Sequence, residues 1–112
     1  MKNLRNRVSL IGRLGKNPEV KEINGKTFAR VSLATTESYK SVSGERVFDT
    51  QWHNLVAWGN TALIFQKYLK KGKEIAIDGR IVNRAYEDKT GNKRYISEIV
   101  VNDILMLGSK SA

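Results

Sequence analysis

Apolar and polar side chains alternate along most of this chain, and a single stretch breaks the alternation. A period of two is what a strand with one buried face requires, because successive side chains point to opposite sides. In residues 5–14, Val8, Leu10 and Leu14 alternate with Arg7, Ser9 and Arg13. Residues 19–23 and 27–36 flank Asn24-Gly25, a dipeptide suited to a two-residue hairpin turn because both positions need positive φ. In the second arm Phe28, Arg30, Ser32 and Ala34 face opposite Ala29, Val31, Leu33 and Thr35. Residues 39–46, YKSVSGER, read as a mobile polar loop. A strand over 47–58 follows it, and a long hairpin runs over 73–86 and 94–107, closed by EDKTGNK and kinked at Gly79.

The exception is NTALIFQKYLKKG, residues 60–72. Here Ala62, Phe65 and Leu69 recur at helical spacing, with Asn60 placed as N-cap and Gly72 as the residue that ends the helix. Lys67, Lys70 and Lys71 gather near the C-terminal end, where the helix dipole favours cations. The order predicts an all-β chain: a five-stranded OB-fold Greek-key barrel with one short helix between strands 3 and 4. At 112 residues the chain supports one core. We expect one domain over residues 1–107 and a short disordered remnant over 108–112.

Lys and Arg number 20 against 11 Asp and Glu, a net charge of +9, which suits an anionic partner without naming it. Cysteine is absent, which excludes thiolate catalysis, disulfide frameworks and Cys-based zinc sites. The N-terminus mixes charges with apolar residues, and no run approaches the length of a membrane span. A soluble, cytoplasmic protein without cofactor, metal or membrane partner is expected.

Both tryptophans lie in TQWHNLVAWG, residues 50–59. Trp52 and Trp58 are an even number of positions apart, so they share a strand face. Two indoles can fill a core or form a platform for flat ligands, and parity alone weighs both equally. Asn54 lies between them on their own face and Leu55 and Ala57 on the other, which favours the platform, with Val56 as an apolar exception. Phe28, Phe48 and Phe65 default to the core, and Tyr68 to packing. Arg80, Val82, Arg84 and Tyr86 share parity on the fourth strand, so an arginine can meet a phosphate while the ring stacks a base.

In this order VSLIGRLGKNPEV, VSLATTESY, TQWHNLVAWG, YLKKGKEIAIDGRI and YISEIVVNDILML resemble the bacterial single-stranded DNA-binding proteins, over about residues 4–107. The resemblance implies an OB fold assembled as a homotetramer, a dimer of dimers, with single-stranded DNA wrapped around its outside. It implies stacking rings at Tyr39, Trp52, Trp58 and Tyr86 and basic contacts at Arg7, Lys71 and Arg84; parity adds Arg80. It places His53 at a subunit interface. Family members continue into a disordered tail with an acidic end that recruits replication and repair enzymes. This sequence ends in GSKSA, so recruitment by that route is not expected of it. The function expected is sequence-independent binding and protection of single-stranded DNA in replication, recombination and repair, in the cytoplasm at the nucleoid.

The alternative among binding proteins is a dimeric primosome accessory protein of replication restart, which shares the fold and lacks the tail. A nuclease would need clustered carboxylates or histidines. The sequence has one His, and Glu87-Asp88 reads as a solvated turn beside Lys89, so no enzyme activity is expected.

Overall fold

The computed structural model describes residues 4–108, so the remnant expected over 108–112 lies outside the described residues except for Gly108. The chain forms β1 (Val8–Leu14), β2 (Glu19–Ile23), β3 (Lys26–Lys40), β4 (Arg46–Trp58), α1 (Asn60–Tyr68), β5 (Glu74–Glu87) and β6 (Lys93–Met106). β1 pairs antiparallel with β5, and β5 with β6. β6 runs parallel to β4 at Leu55↔Ile99 and Val56↔Val100. β4 pairs antiparallel with β3, which returns to β1 at Arg13↔Ala34 and Leu14↔Leu33, so the pairings close into a ring. Five strands make the ring, as expected, and the short β2 hangs outside it on β3. In chain order the helix separates the third and fourth strands of that ring.

The core fills the inside. Val31, Leu33, Leu55 and Ile75 point inward from the strands, and Ala62 and Phe65 of the helix, with Leu69 just after it, join the same core. Asn24 and Gly25 turn the β2–β3 hairpin with φ of 50° and 79°. Where β5 steps from Asp78 to Gly79 its partner β6 carries one extra residue, Asn102, a bulge that bends the pair at the kink expected in β5.

Three expectations change. The helix is capped by Gly59, at φ 61°, and not by an Asn60 side chain. That φ lets the chain swing from Trp58 straight into the helix, with Gly59 N–H donating to Thr27 O at 2.9 Å. The helix ends at Tyr68, before Gly72, because Leu69 turns extended and drops into the core. The loop expected over 39–46 shrinks to 41–45, since β3 runs to Lys40 and Arg46 already belongs to β4. Ser41 N–H to Glu45 O at 2.8 Å closes the tip.

β3–β4 and β5–β6 therefore stand off the ring as long hairpins. The radius of gyration, 16.2 Å, exceeds the roughly 13 Å of a compact domain of this size. On such an arm neither face has a core beneath it, which decides the fate of the aromatic residues there.

Candidate nucleic-acid interface

Register between β3 and β4 is continuous from Phe28↔Trp58 to Lys40↔Arg46, so alternation holds along the whole arm. The outer face carries Phe48, Thr50, Trp52, Asn54, Val56 and Trp58. The bond between Thr36 Oγ1 and Thr50 Oγ1 at 3.2 Å confirms that even-numbered residues of both strands share it. Trp52 is 62% exposed and Trp58 43%, so neither indole fills the core. At roughly 3.3 Å per residue they stand about 20 Å apart along the strand.

Each indole has its own support. Trp58 tilts against Phe28, with ring centroids 4.7 Å apart. Phe28 is buried as expected, but beneath Trp58 on the outer face and not inside the ring. Trp52 lies over the backbone at Gly15, where a Cβ would sit 2.5 Å from the indole Cζ3. Glycine is what lets this ring approach the chain so closely.

Beside Trp58 opens a groove of about 400 Å³ lined by Lys21, Ile23, Phe28, Arg30, Val56, Val82, Arg84, Glu98 and Val100. Val56, the apolar exception in the strand pattern, is buried in its floor. Glu98 is the one buried charged residue among those described, and two arginines hold it. Arg84 donates from Nε to Oε1 at 2.8 Å and from Nη2 to Oε2 at 3.3 Å, and Arg30 Nη2 donates to Oε2 at 3.0 Å. These hydrogen bonds, Arg84's first, hold the Glu98 carboxyl below its ordinary range against the opposing effect of burial. Glu98 in turn raises the Arg84 pKa. Arg30 also sits over the Phe28 ring, Cζ 5.4 Å from its centroid, and its Nε is buried with no hydrogen-bond partner among the described residues. Glu98 also lines a smaller hollow of about 200 Å³ beside Trp52 and so joins the surroundings of the two indoles.

The remaining residues singled out in the sequence divide. Arg80 and Tyr86 share the outer face of β5 with Arg84, and both are exposed. Tyr86 pairs across the hairpin with Arg94. Asp88 secures that hairpin's turn, accepting from Thr90 N–H at 3.0 Å, Asn92 N–H at 2.9 Å and Arg94 Nε at 2.9 Å. The Arg94 bond leads in lowering the Asp88 pKa to about 2. Lys71 is exposed in the turn after α1, where its N–H donates to Asn17 Oδ1 at 2.8 Å. Arg7 pairs with Asp78, Nε to Oδ1 3.0 Å. His53 is half-buried on the opposite face from the indoles, with Nε2 2.9 Å from Thr35 Oγ1. Leu33 separates it from Leu14 of β1.

Two rings expected to pack, Phe48 and Tyr68, are exposed. Tyr39 pairs with Val47, which puts it on the face of the β3–β4 arm away from Trp52. Phe48, expected in the core, is 67% exposed on the same face as Trp52. Tyr68 packs little and is half-exposed, with Lys67 Nζ 5.9 Å from its ring. Tyr95 pairs with Ala85 on the face opposite Tyr86. Glu98 and Arg30 escaped the sequence reading because a single acid in the apolar run EIVV carries no signal of its two partners, Arg84 across the β5–β6 hairpin and Arg30 on β3, far away along the chain.

Among the described residues no group of three His, Cys, Asp or Glu could hold a metal ion, and no helix is long and apolar enough to cross a membrane.

Comparison with known proteins agrees with the geometry. The family model described as the single-strand binding protein family matches residues 5–107. Single-stranded DNA-binding protein 1 of Chlorobaculum tepidum is 46% identical over 109 residues, covering 96% of this chain and 67% of that protein. The single-stranded DNA-binding protein of Neisseria meningitidis serogroup A is 42% identical over 107 residues, covering 95% and 62%. The chain thus spans about two thirds of the length of these relatives. The structure of the Plasmodium falciparum protein in complex with single-stranded DNA superposes with a TM-score of 0.85 at 30% identity, covering 96% of this chain and 99% of that one. A deletion mutant of the Thermus aquaticus single-stranded DNA-binding protein gives 0.78 at 25% identity, covering 94% and 51%. The chain belongs to the single-strand binding protein family.

Proposed function

We propose that the protein binds single-stranded DNA without reading its sequence, by stacking bases on Trp52, Trp58, Tyr86 and Tyr39 and meeting phosphates with Arg80, Arg84, Lys71 and Arg7. The observation that carries the reading is the placement of both indoles on one exposed face, each braced from behind, beside a groove lined by Lys21, Arg30 and Arg84. Aromatic platforms within a cationic groove are what strand binding without base readout requires, because every base has a π-face. The Plasmodium neighbour, solved with single-stranded DNA, supports the same partner. The chemistry on offer is binding and not catalysis, and a role in replication, recombination and repair, in the cytoplasm at the nucleoid, follows from it.

Assembly as a dimer of dimers belongs to the same proposal. β1 pairs with β5 along one edge, while its other edge meets β3 only at Arg13 and Leu14, which leaves strand edge open to a second copy. Ile11, Ala76 and Leu105 stand in one row across β1, β5 and β6, with Ile11 62% and Leu105 63% exposed, an apolar strip suited to burial between copies. His53, one strand away from β1, would lie near such an interface. Measuring the mass in solution with and without a long oligothymidylate tests assembly and binding together. A tetramer that takes up the strand is expected.

A further inference from the structure

The β3–β4 arm has two chemically different faces. On the Trp52 face lie Phe48, Lys40 and Arg46, with Lys40 and Arg46 paired directly across the strands. Arg46 Nη1 donates to Ser38 Oγ at 2.9 Å, which fixes the guanidinium on this face. On the other face Glu37 and Asp49 are paired across the strands, beside Tyr39 and Val47. Gln51 Nε2 reaches Asp49 Oδ2 at 3.4 Å along that face, so the acids and bases are segregated.

Segregation of this kind selects the path of a polyanion. A strand leaving Trp52 toward the tip meets Lys40, Arg46 and Phe48 on one side of the arm, while on the other the ring of Tyr39 stands beside the carboxylates of Glu37 and Asp49, so the phosphates find cations only along the Trp52 face. Phe48 is four residues from Trp52, about 13 Å along the strand, and 67% exposed with Thr50 between them. Arg46 and Phe48 therefore add a cation and an exposed ring to the Trp52 face, beyond Thr50. We infer that Phe48 is a further base-stacking residue and Arg46 a further phosphate contact, so that the binding track runs past Trp52 along the outer face of the β3–β4 arm. This rests on the proposed binding of single-stranded DNA and adds a nucleotide subsite to it.

The test compares wild type, Phe48→Ala, Phe48→Trp and Arg46→Ala for binding of a long oligothymidylate, with mass and thermal unfolding measured on each. Phe48→Ala should keep its mass and fold and lose about 5- to 150-fold in affinity, the range for deleting one stacking ring. Phe48→Trp should bind as wild type, and the emission of its added indole should be quenched by the strand. Arg46→Ala should make the salt slope of log affinity shallower by about 0.7. A folded Phe48→Ala that binds as tightly as wild type overturns the subsite while leaving the wider reading standing. A Phe48→Ala that loses mass but keeps its affinity per chain overturns it in favour of a contact between copies. Wild type that fails to bind overturns the wider reading and this one with it.

Discussion

Arg84 grips Glu98 through two hydrogen bonds, 2.8 and 3.3 Å, in the wall of a groove otherwise suited to an anionic ligand. A buried carboxylate on such a face opposes phosphate by its own charge. Its use is geometric: Arg30 takes hold of the same carboxylate, so Glu98 fixes the orientation of both guanidiniums beside Phe28 and Trp58.

Glu98→Gln separates the two effects. It raises the net charge by one, so a carboxylate that only repels DNA would bind more tightly when replaced. If Glu98 positions Arg30 and Arg84, binding weakens several-fold at every salt concentration. The fold should also lose about 1–2 kcal/mol, well under the full value of a buried pair because both arginines are partly exposed. Titration and thermal unfolding of the same variant give both numbers.

Gly15→Ala tests the seat of Trp52. A Cβ there comes within 2.5 Å of the indole, which must tilt away. The ring is on the surface, so the fold should survive with little loss of stability. Affinity for oligothymidylate should fall several-fold, and the intrinsic emission of the free protein should change. Unchanged affinity would mean that the seat of Trp52 against Gly15 is irrelevant to binding.

The turn at Asp88 gives a pH dependence of known sign. Its pKa drops from 3.8 to about 2 on folding, so the charged form favours the folded state. That contribution is complete above the unfolded value and disappears as pH falls from about 4 to about 2. Asp88→Asn should therefore melt below wild type at pH 7, and the gap should narrow as the pH approaches 2. A gap independent of pH would show that the ionised carboxylate is not what secures the turn.

Much of this was legible in the sequence, for reasons that also explain the misses. Trp52 and Trp58 fell on one face because β4 keeps unbroken register with β3, so counting by two worked. Ala62, Phe65 and Leu69 were found because helical spacing marks a buried stripe whatever it packs against. Phe48 was misplaced because an apolar ring was assumed to have a core to enter, and residue composition does not show that an arm projects beyond the core. Tyr39 joins the other rings by resemblance alone, which carries position along the chain but not the side of the arm, and its stacking belongs to the proposed function. The helix end was misjudged because Leu69 stays on the apolar stripe while its backbone is already extended. Glu98 depends on two partners brought together only by folding.

Charge on the outer face of β5 is open to a simple measurement. Arg80 is exposed on the same face as Arg84. Arg80→Ala should weaken binding similarly across sequences and make the log–log salt slope shallower by about 0.7. An unchanged slope would remove Arg80 from the phosphate track.

The most direct measurement is tryptophan fluorescence during titration with a long oligothymidylate, on wild type, Trp52→Ala and Trp58→Ala. Strong quenching in wild type, a reduced quench in each variant, and a loss of about 1–3 kcal/mol in binding with the fold intact are what exposed, braced indoles should give. Emission that does not change on saturation, or single variants that bind as tightly as wild type, would contradict the claim that these two rings form the platform.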